Sequence, residues 1–394
     1  MINHRTEIEL LLTCSRFPFG PGGPPALRQL VGADLDWSFL SKAASRHGVL
    51  PLLCHRLLAH CRDLVPGPVS DQLREELRQN AQRNLALAHE LVRILSLFAA
   101  QGISAVPFKG PILAVSAYGN LAWRNFNDLD IYITAASIPQ GKRLLVSLGY
   151  LPDVELTAAR ERAFLKHYYD LGFWHQDKGI YVELHWKLTR WHFSALADSL
   201  GLWDRLEHLP LAGRPVLIFS PEDSLIILCA HGAMHLFARL AWICDISALI
   251  NSHPGMNWPL VRRLAGSLNC QKIVYLGLLL AEDLLQAPLP AEISRLVQND
   301  PSLKPLAVWI RKRLFPESAP PATRLLEEHF FRFKLRERLV DKFHHFLDMS
   351  FSPTDLDFAR ISLNRPFIFL YRLAKPLRLL KEHYFRVKGF QRSE

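Results

Sequence analysis

Through the first hundred positions, apolar residues recur at helical spacing. Ile8 to Leu12 opens a short helix, and a loop rich in Pro and Gly, Pro18 to Pro25, interrupts it. Asp36 to Leu40 opens another helix and Val49 to Cys61 a third. Val69 to Ala100 predicts the longest, with Leu73, Leu77, Leu85, Leu91, Ile94, Leu95 and Phe98 on helical spacing and Gly102 as its stop. The period then shortens. Ile103 to Phe108 reads as a strand leading into Lys109-Gly110, and Pro111 starts a helix over Ile112 to Tyr118. Asn127 to Ile133 alternates polar and apolar residues, the mark of a half-buried strand. A helix over Pro139 to Leu148 follows, closing at Gly149-Tyr150. Strands at Tyr169 to His175 and Gly179 to Leu188 are joined by an Asp177-Lys178-Gly179 hairpin turn.

After a connector, Trp191 to Pro221, with a short strand at Pro215 to Phe219, the segment Ser220-Pro221-Glu222-Asp223 is a helix start. Ser stands as N-cap, Pro in the first position and acids in the first turn. Its helix is expected to run through Leu225 to about Leu249. Further helices reach Leu285, and helical pieces separated by prolines continue to Glu394. The chain contains no internal repeat. These elements predict an α+β protein with N-terminal helices over residues 1–100 and a small mixed sheet with helices over 101–220. A helical domain spans 221–300, and a basic helical region 301–394.

The alternation at Asn127 to Ile133 has a chemical consequence. Leu129, Ile131 and Ile133 point into a core, so Asp128 and Asp130 project together from the opposite face. Their repulsion is removed by a divalent cation, and an oxygen-only donor set at this spacing suits Mg²⁺. Val182 and Leu184 alternate with Glu183 and His185, so a neighbouring strand would bring a third carboxylate to the same patch. The bland alternative is three solvated acids at strand ends, which need not meet.

A turn, a helix, Asp-x-Asp on a strand and a later acid on another strand resemble the polymerase-β-like nucleotidyltransferase superfamily. The fuller pattern is Phe108-Lys109-Gly110, Tyr118, Arg124, Asp128-Leu129-Asp130 and Glu183-Leu184-His185-Trp186. It resembles a bacterial branch known as the uncharacterised family-5 nucleotidyltransferases. The superfamily's usual turn is Gly-Ser; the Lys-Gly here is a change that the branch shares. The resemblance implies transfer of a nucleoside monophosphate from a nucleoside triphosphate, ATP among the candidates, to an acceptor. The acceptor, a small molecule, a protein or an RNA, is left open, and pyrophosphate is released. Asp128, Asp130 and Glu183 would be the catalytic acids, holding two Mg²⁺ ions.

Lys109 and the Gly110 turn would hold the triphosphate; a lysine snorkelling from a strand end is the other reading. Arg124 would bind a phosphate or brace the carboxylates. His185 would orient Glu183 or the acceptor, act as a base, or serve as a structural histidine. The alternative to an enzyme is a non-catalytic module of the same fold that binds a nucleotide or RNA.

His231 and His235 stand four apart, the spacing of helical zinc ligands, but Gly232 occupies the place where a zinc protease needs Glu. The branch tends to carry His, His and Asp near these positions and at Asp245. That implies a role facing the cleft or fixing the helix, with packing through an Arg239–Asp245 type of network as the structural option.

Composition adds three constraints. A hydrophobic content of 49% against 21% charged residues is that of a folded protein with substantial cores. No apolar run reaches the roughly 20 residues of a membrane span, and the N-terminus lacks a signal-peptide pattern. Six cysteines, with no C-x-x-C pair among them, read as buried thiols of a reducing compartment, the cytoplasm.

The net charge of +10 is unevenly spread. Lys and Arg outnumber Asp and Glu 19 to 10 over residues 301–394, but only 28 to 27 over residues 1–300. Phe330 to Arg336 and Phe367 to Phe390 interleave aromatics with that positive charge. The mixture suits an anionic partner, nucleic acid or a lipid surface, or else amphipathic helices packing Phe inward.

Overall fold

The computed structural model describes residues 4–17, 19, 22–155, 161, 164–165, 168–188, 201–316 and 324–343. Five helices come first: α1 (Arg5–Ser15), α2 (Gly23–Val31), α3 (Trp37–Arg46), α4 (Leu50–His60) and α5 (Gly67–Ala100). The strand β1 (Ala105–Phe108), the short helix α6 (Gly110–Ser116) and β2 (Asp128–Ile133) follow. Next come α7 (Ile138–Ser147), β3 (Leu151–Pro152), β4 (Asp170–His175) and β5 (Ile180–His185). A separate hairpin, β6 (Glu207–Leu211) with β7 (Arg214–Ile218), leads into α8 (Pro221–Met234) and α9 (Leu240–Ser252). The remaining described helices are α10 (Trp258–Ser267), α11 (Gln271–Leu285), α12 (Ala291–Asn299), α13 (Lys304–Leu314) and α14 (Arg324–Leu335). The class is α+β, as the periodicities predict.

The main sheet has the order β1-β2-β5-β4-β3, and β2 with β5 is its parallel pair. Both strands are interior to the sheet, β2 is buried on both faces from Leu129 to Ile133, and the two faces bury different chemistry. On one side Leu129, Ile131, Ile133, Val182 and Leu184 pack on Leu91, Ile94 and Phe98 of α5 and on Ile138 and Leu145 of α7. A one-residue slip of β2 would move three apolar side chains out of this core and two carboxylates into it. Each lost side chain costs about 1.5–3 kcal/mol, so the register is strongly held.

On the other side, Val106, Phe108 and Tyr132 belong to a larger apolar cluster. It runs from Leu10 and Leu52 near the N-terminus through Leu225, Ile243 and Leu276 to Leu314 and Leu335. All six cysteines lie buried and unpaired.

One expected helix is two. The segment from Leu225 to Leu249 breaks between α8 and α9, where Leu236 (φ 60°) and Phe237 (φ 47°) take left-handed conformations. Both side chains are buried, and burial holds a turn that their Cβ atoms disfavour. Gly232 makes the turn possible, because the Phe237 ring folds back over the place a Cβ would fill.

Among the described residues, no helix is long and apolar enough to cross a membrane. In α14, Phe331 is buried and stacks on Trp309 at 4.7 Å, while Phe330 and Phe333 are exposed. The expected aromatic and basic segment from Phe367 to Phe390 lies outside the described residues.

Candidate active site

The parallel register sets Asp128 opposite Tyr181, Asp130 opposite Glu183 and Tyr132 opposite His185. Paired residues share a face, so the alternation within each strand collects Asp128, Asp130, Glu183 and His185 on one patch. Asp130 is 2% exposed. Its Oδ1 accepts from Lys109 Nζ at 2.9 Å and lies 2.9 Å from His185 Nε2, which is also 3.1 Å from Glu183 Oε2. One donor atom each from Asp130, Glu183 and His185 lie within 4.8 Å of one another, a group that could hold a metal ion. Among the described residues, the buried His185 Nδ1 has no hydrogen-bond partner.

Lys109 reaches this cluster from an unusual backbone. As the residue before α6 it has φ 55°, in the half of φ space where a Cβ is costly. Gly110 behind it faces the Asp128 carbonyl, where a Cβ would sit at 3.4 Å. This turn aims the ammonium at the acids.

Electrostatics follow from burial and crowding. Desolvation opposes charge on Asp130, but Lys109 and the His185 hydrogen bond hold the carboxyl well below the usual carboxylate range. Burial works against the His185 cation, yet the hydrogen bonds to Asp130 and Glu183 lift it to about 9. Asp128 is pushed up to about 6, by burial first and then by the charge of Asp130, which Lys109 only partly offsets. The patch therefore carries more acid than its own bases neutralise.

Arg124 does something else. Its Nε donates to Asp245 Oδ1 at 2.8 Å and its Nη2 to Oδ2 at 2.9 Å, while Tyr118 Oη donates to the same Oδ1 at 2.7 Å. Asp245 lies on α9, so this buried fork ties the loop ahead of β2 to the helices beyond the sheet. The expected Arg239 partner is elsewhere, with its guanidinium 5.9 Å from the Trp242 ring centre. His231 and His235 stand at the end of α8, their rings 4.7 Å apart.

Three supports escaped the sequence reading. Asn84 Nδ2 donates to the carbonyls of Leu121 (2.6 Å) and Arg124 (2.8 Å), and Asn80 Nδ2 to that of Ala122 (2.9 Å), fixing the Arg124 loop on α5. Two asparagines four apart on an otherwise regular helix were the available signal. Asp170 pairs in register with His185 and adds a further acid to that face. Between them, Gly172 leaves room for Tyr181 to donate to the Asp153 carboxylate; a Cβ there would strike both groups.

A comparison with curated proteins finds no match. The acidic face, the Arg124 loop and the helices closing over both fall within residues 33–286. Those residues match the model of a family described as uncharacterised nucleotidyltransferases, and the chain belongs to that family.

Proposed function

We propose that the chain moves a nucleoside monophosphate from a nucleoside triphosphate to an acceptor hydroxyl or phosphate, releasing pyrophosphate, at the acidic face of β2 and β5. The observation that carries this reading is the parallel register, which sets Asp130 beside Glu183 with Asp128 two residues before it on the same face. The donor chemistry fits a hard divalent cation: three carboxylates converge where one lysine and one histidine leave negative charge in excess.

Asp128, Asp130 and Glu183 would hold Mg²⁺. Bound magnesium would polarise the phosphoryl oxygens, offset charge growing on pyrophosphate and acidify an acceptor hydroxyl. His185, its Nε2 committed to Asp130 and Glu183, keeps those carboxylates oriented. Lys109 neutralises Asp130 and would offer its ammonium to the triphosphate. Arg124 keeps the loop ahead of β2 in position through Asp245.

The test is incubation with labelled nucleoside triphosphates, Mg²⁺ and cell extract as a source of acceptor. Transfer of label should fall to background, on the order of a thousandfold or more, in Asp128→Asn plus Asp130→Asn. Equal labelling by wild type and variant would overturn the reading.

A further inference from the structure

The turn between α8 and α9 presents a second group of side chains. His231 and His235 touch at 4.7 Å, and the Trp242 ring completes a triangle, 5.7 Å from His231 and 5.0 Å from His235. Arg239 lies over the indole. His231 and Trp242 are half-buried, His235 and Arg239 exposed. Among the described residues, no hydrogen bond or ion pair engages the ring nitrogens of the histidines, the indole N–H or the guanidinium. Rings that merely fill a core are covered, with their polar atoms satisfied. These are open on one side and carry four unused polar groups.

The group is tied to the acid-bearing strand by geometry: Trp242 shares its helix with Asp245, which holds Arg124 of the loop that leads into β2. Burial and then the Lys109 charge lower the basicity of both histidines, and Asp130 acts on His231 as Glu183 does on His235. The rings are also held firmly. Leu236 and Phe237 anchor the turn in the core, and Trp242 stands one helical turn before Asp245, which Arg124 grips. A rigid, half-open aromatic triangle with an unpaired cation at its rim suits a flat, electron-poor ring attached to an anion.

We propose that His235 and Trp242, whose rings lie within 31° of parallel, form the wall on which the base of the donor nucleotide stacks, with His231 edge-on behind Trp242 and Arg239 at its rim. This rests on the nucleotide reading of the acidic face and adds where the base goes. Stacking of a base on an aromatic side chain is tolerant of base identity, so the wall would favour nucleotides over bare phosphates more than one base over another.

The experiment is calorimetry of the full chain with Mg²⁺, using ATP, GTP, CTP, UTP and inorganic tripolyphosphate as probes. Wild type should bind the nucleotides more tightly than tripolyphosphate. His235→Ala, at an exposed position, and Trp242→Ala should weaken nucleotide binding about tenfold or more and leave tripolyphosphate binding unchanged. Trp242→Phe should restore most of the loss. The wall is overturned if tripolyphosphate binds wild type as tightly as the nucleotides. It is equally overturned if His235→Ala leaves both affinities intact or lowers them together. Wild type that binds neither probe removes the nucleotide site and the wall with it. Base-dependent binding without label transfer keeps the wall and removes only the proposed reaction.

Discussion

Asp245 and Asp130 are equally hidden, 1% and 2% exposed, yet their neighbourhoods are opposites. Asp245 has one arginine in a two-pronged grip and a tyrosine hydroxyl, so charge and hydrogen bonds close on themselves. Asp130 holds Lys109 and shares His185 with Glu183 while Asp128 crowds in, and the cluster stays negative. A buried carboxylate is structural where its partners are complete. It is poised for chemistry where they are too few, because a further cation then gains by entering.

The comparison breaks most visibly if the closed pair is opened. Arg124→Ala leaves Asp245 buried without its counter-charge, with only the Tyr118 hydroxyl bonded to it. Chemical denaturation should then show a loss of about 3–5 kcal/mol; a loss under 1 kcal/mol would mean that Asp245 is no lock. The open cluster should respond to metal. At a hundredfold excess over its dissociation constant, Mg²⁺ should stabilise wild type by about 2.7 kcal/mol. Asp128→Asn plus Asp130→Asn should erase that gain, and Arg124→Ala, where folded, should keep it.

A pH effect, at most about 1.4 kcal/mol over any one pH unit, sharpens the closed side. His47 Nδ1 accepts from the Leu240 N–H at the start of α9, and burial with the Arg46 charge pushes the ring down to about 4 from 6.5. A base whose folded value is depressed takes up its proton on unfolding. Its stabilisation is therefore complete above about 6.5 and is lost as pH falls towards 4. Between those values the slope is at most about 1.4 kcal/mol per pH unit. Thermal melts of wild type should decline through that window, and His47→Asn should flatten its share of the decline.

Much of the open cluster was legible in the chain, because a period of two tells which residues share a face. Asp128 with Asp130, and Glu183 with His185, needed no more than alternation. Their juxtaposition needed strand pairing across 53 residues, which no local pattern encodes. The closed pair was harder. Asp245 sits in a stretch apolar on all sides, from Leu225 to Ile250, where periodicity marks neither a face nor the break at Leu236. Gly232, needed only for the close approach of Phe237, was the one local hint of that break.

The distance between Arg124 and Asp245 along the chain also sets an order of events during synthesis. Arg124 leaves the ribosome 121 residues ahead of its carboxylate, and at 5–20 residues per second that is an interval of roughly 6–24 s. Until α9 emerges, the loop before β2 carries a guanidinium without its carboxylate partner. In a nascent chain Arg124 therefore waits for the same helix that delivers the aromatic triangle's third ring.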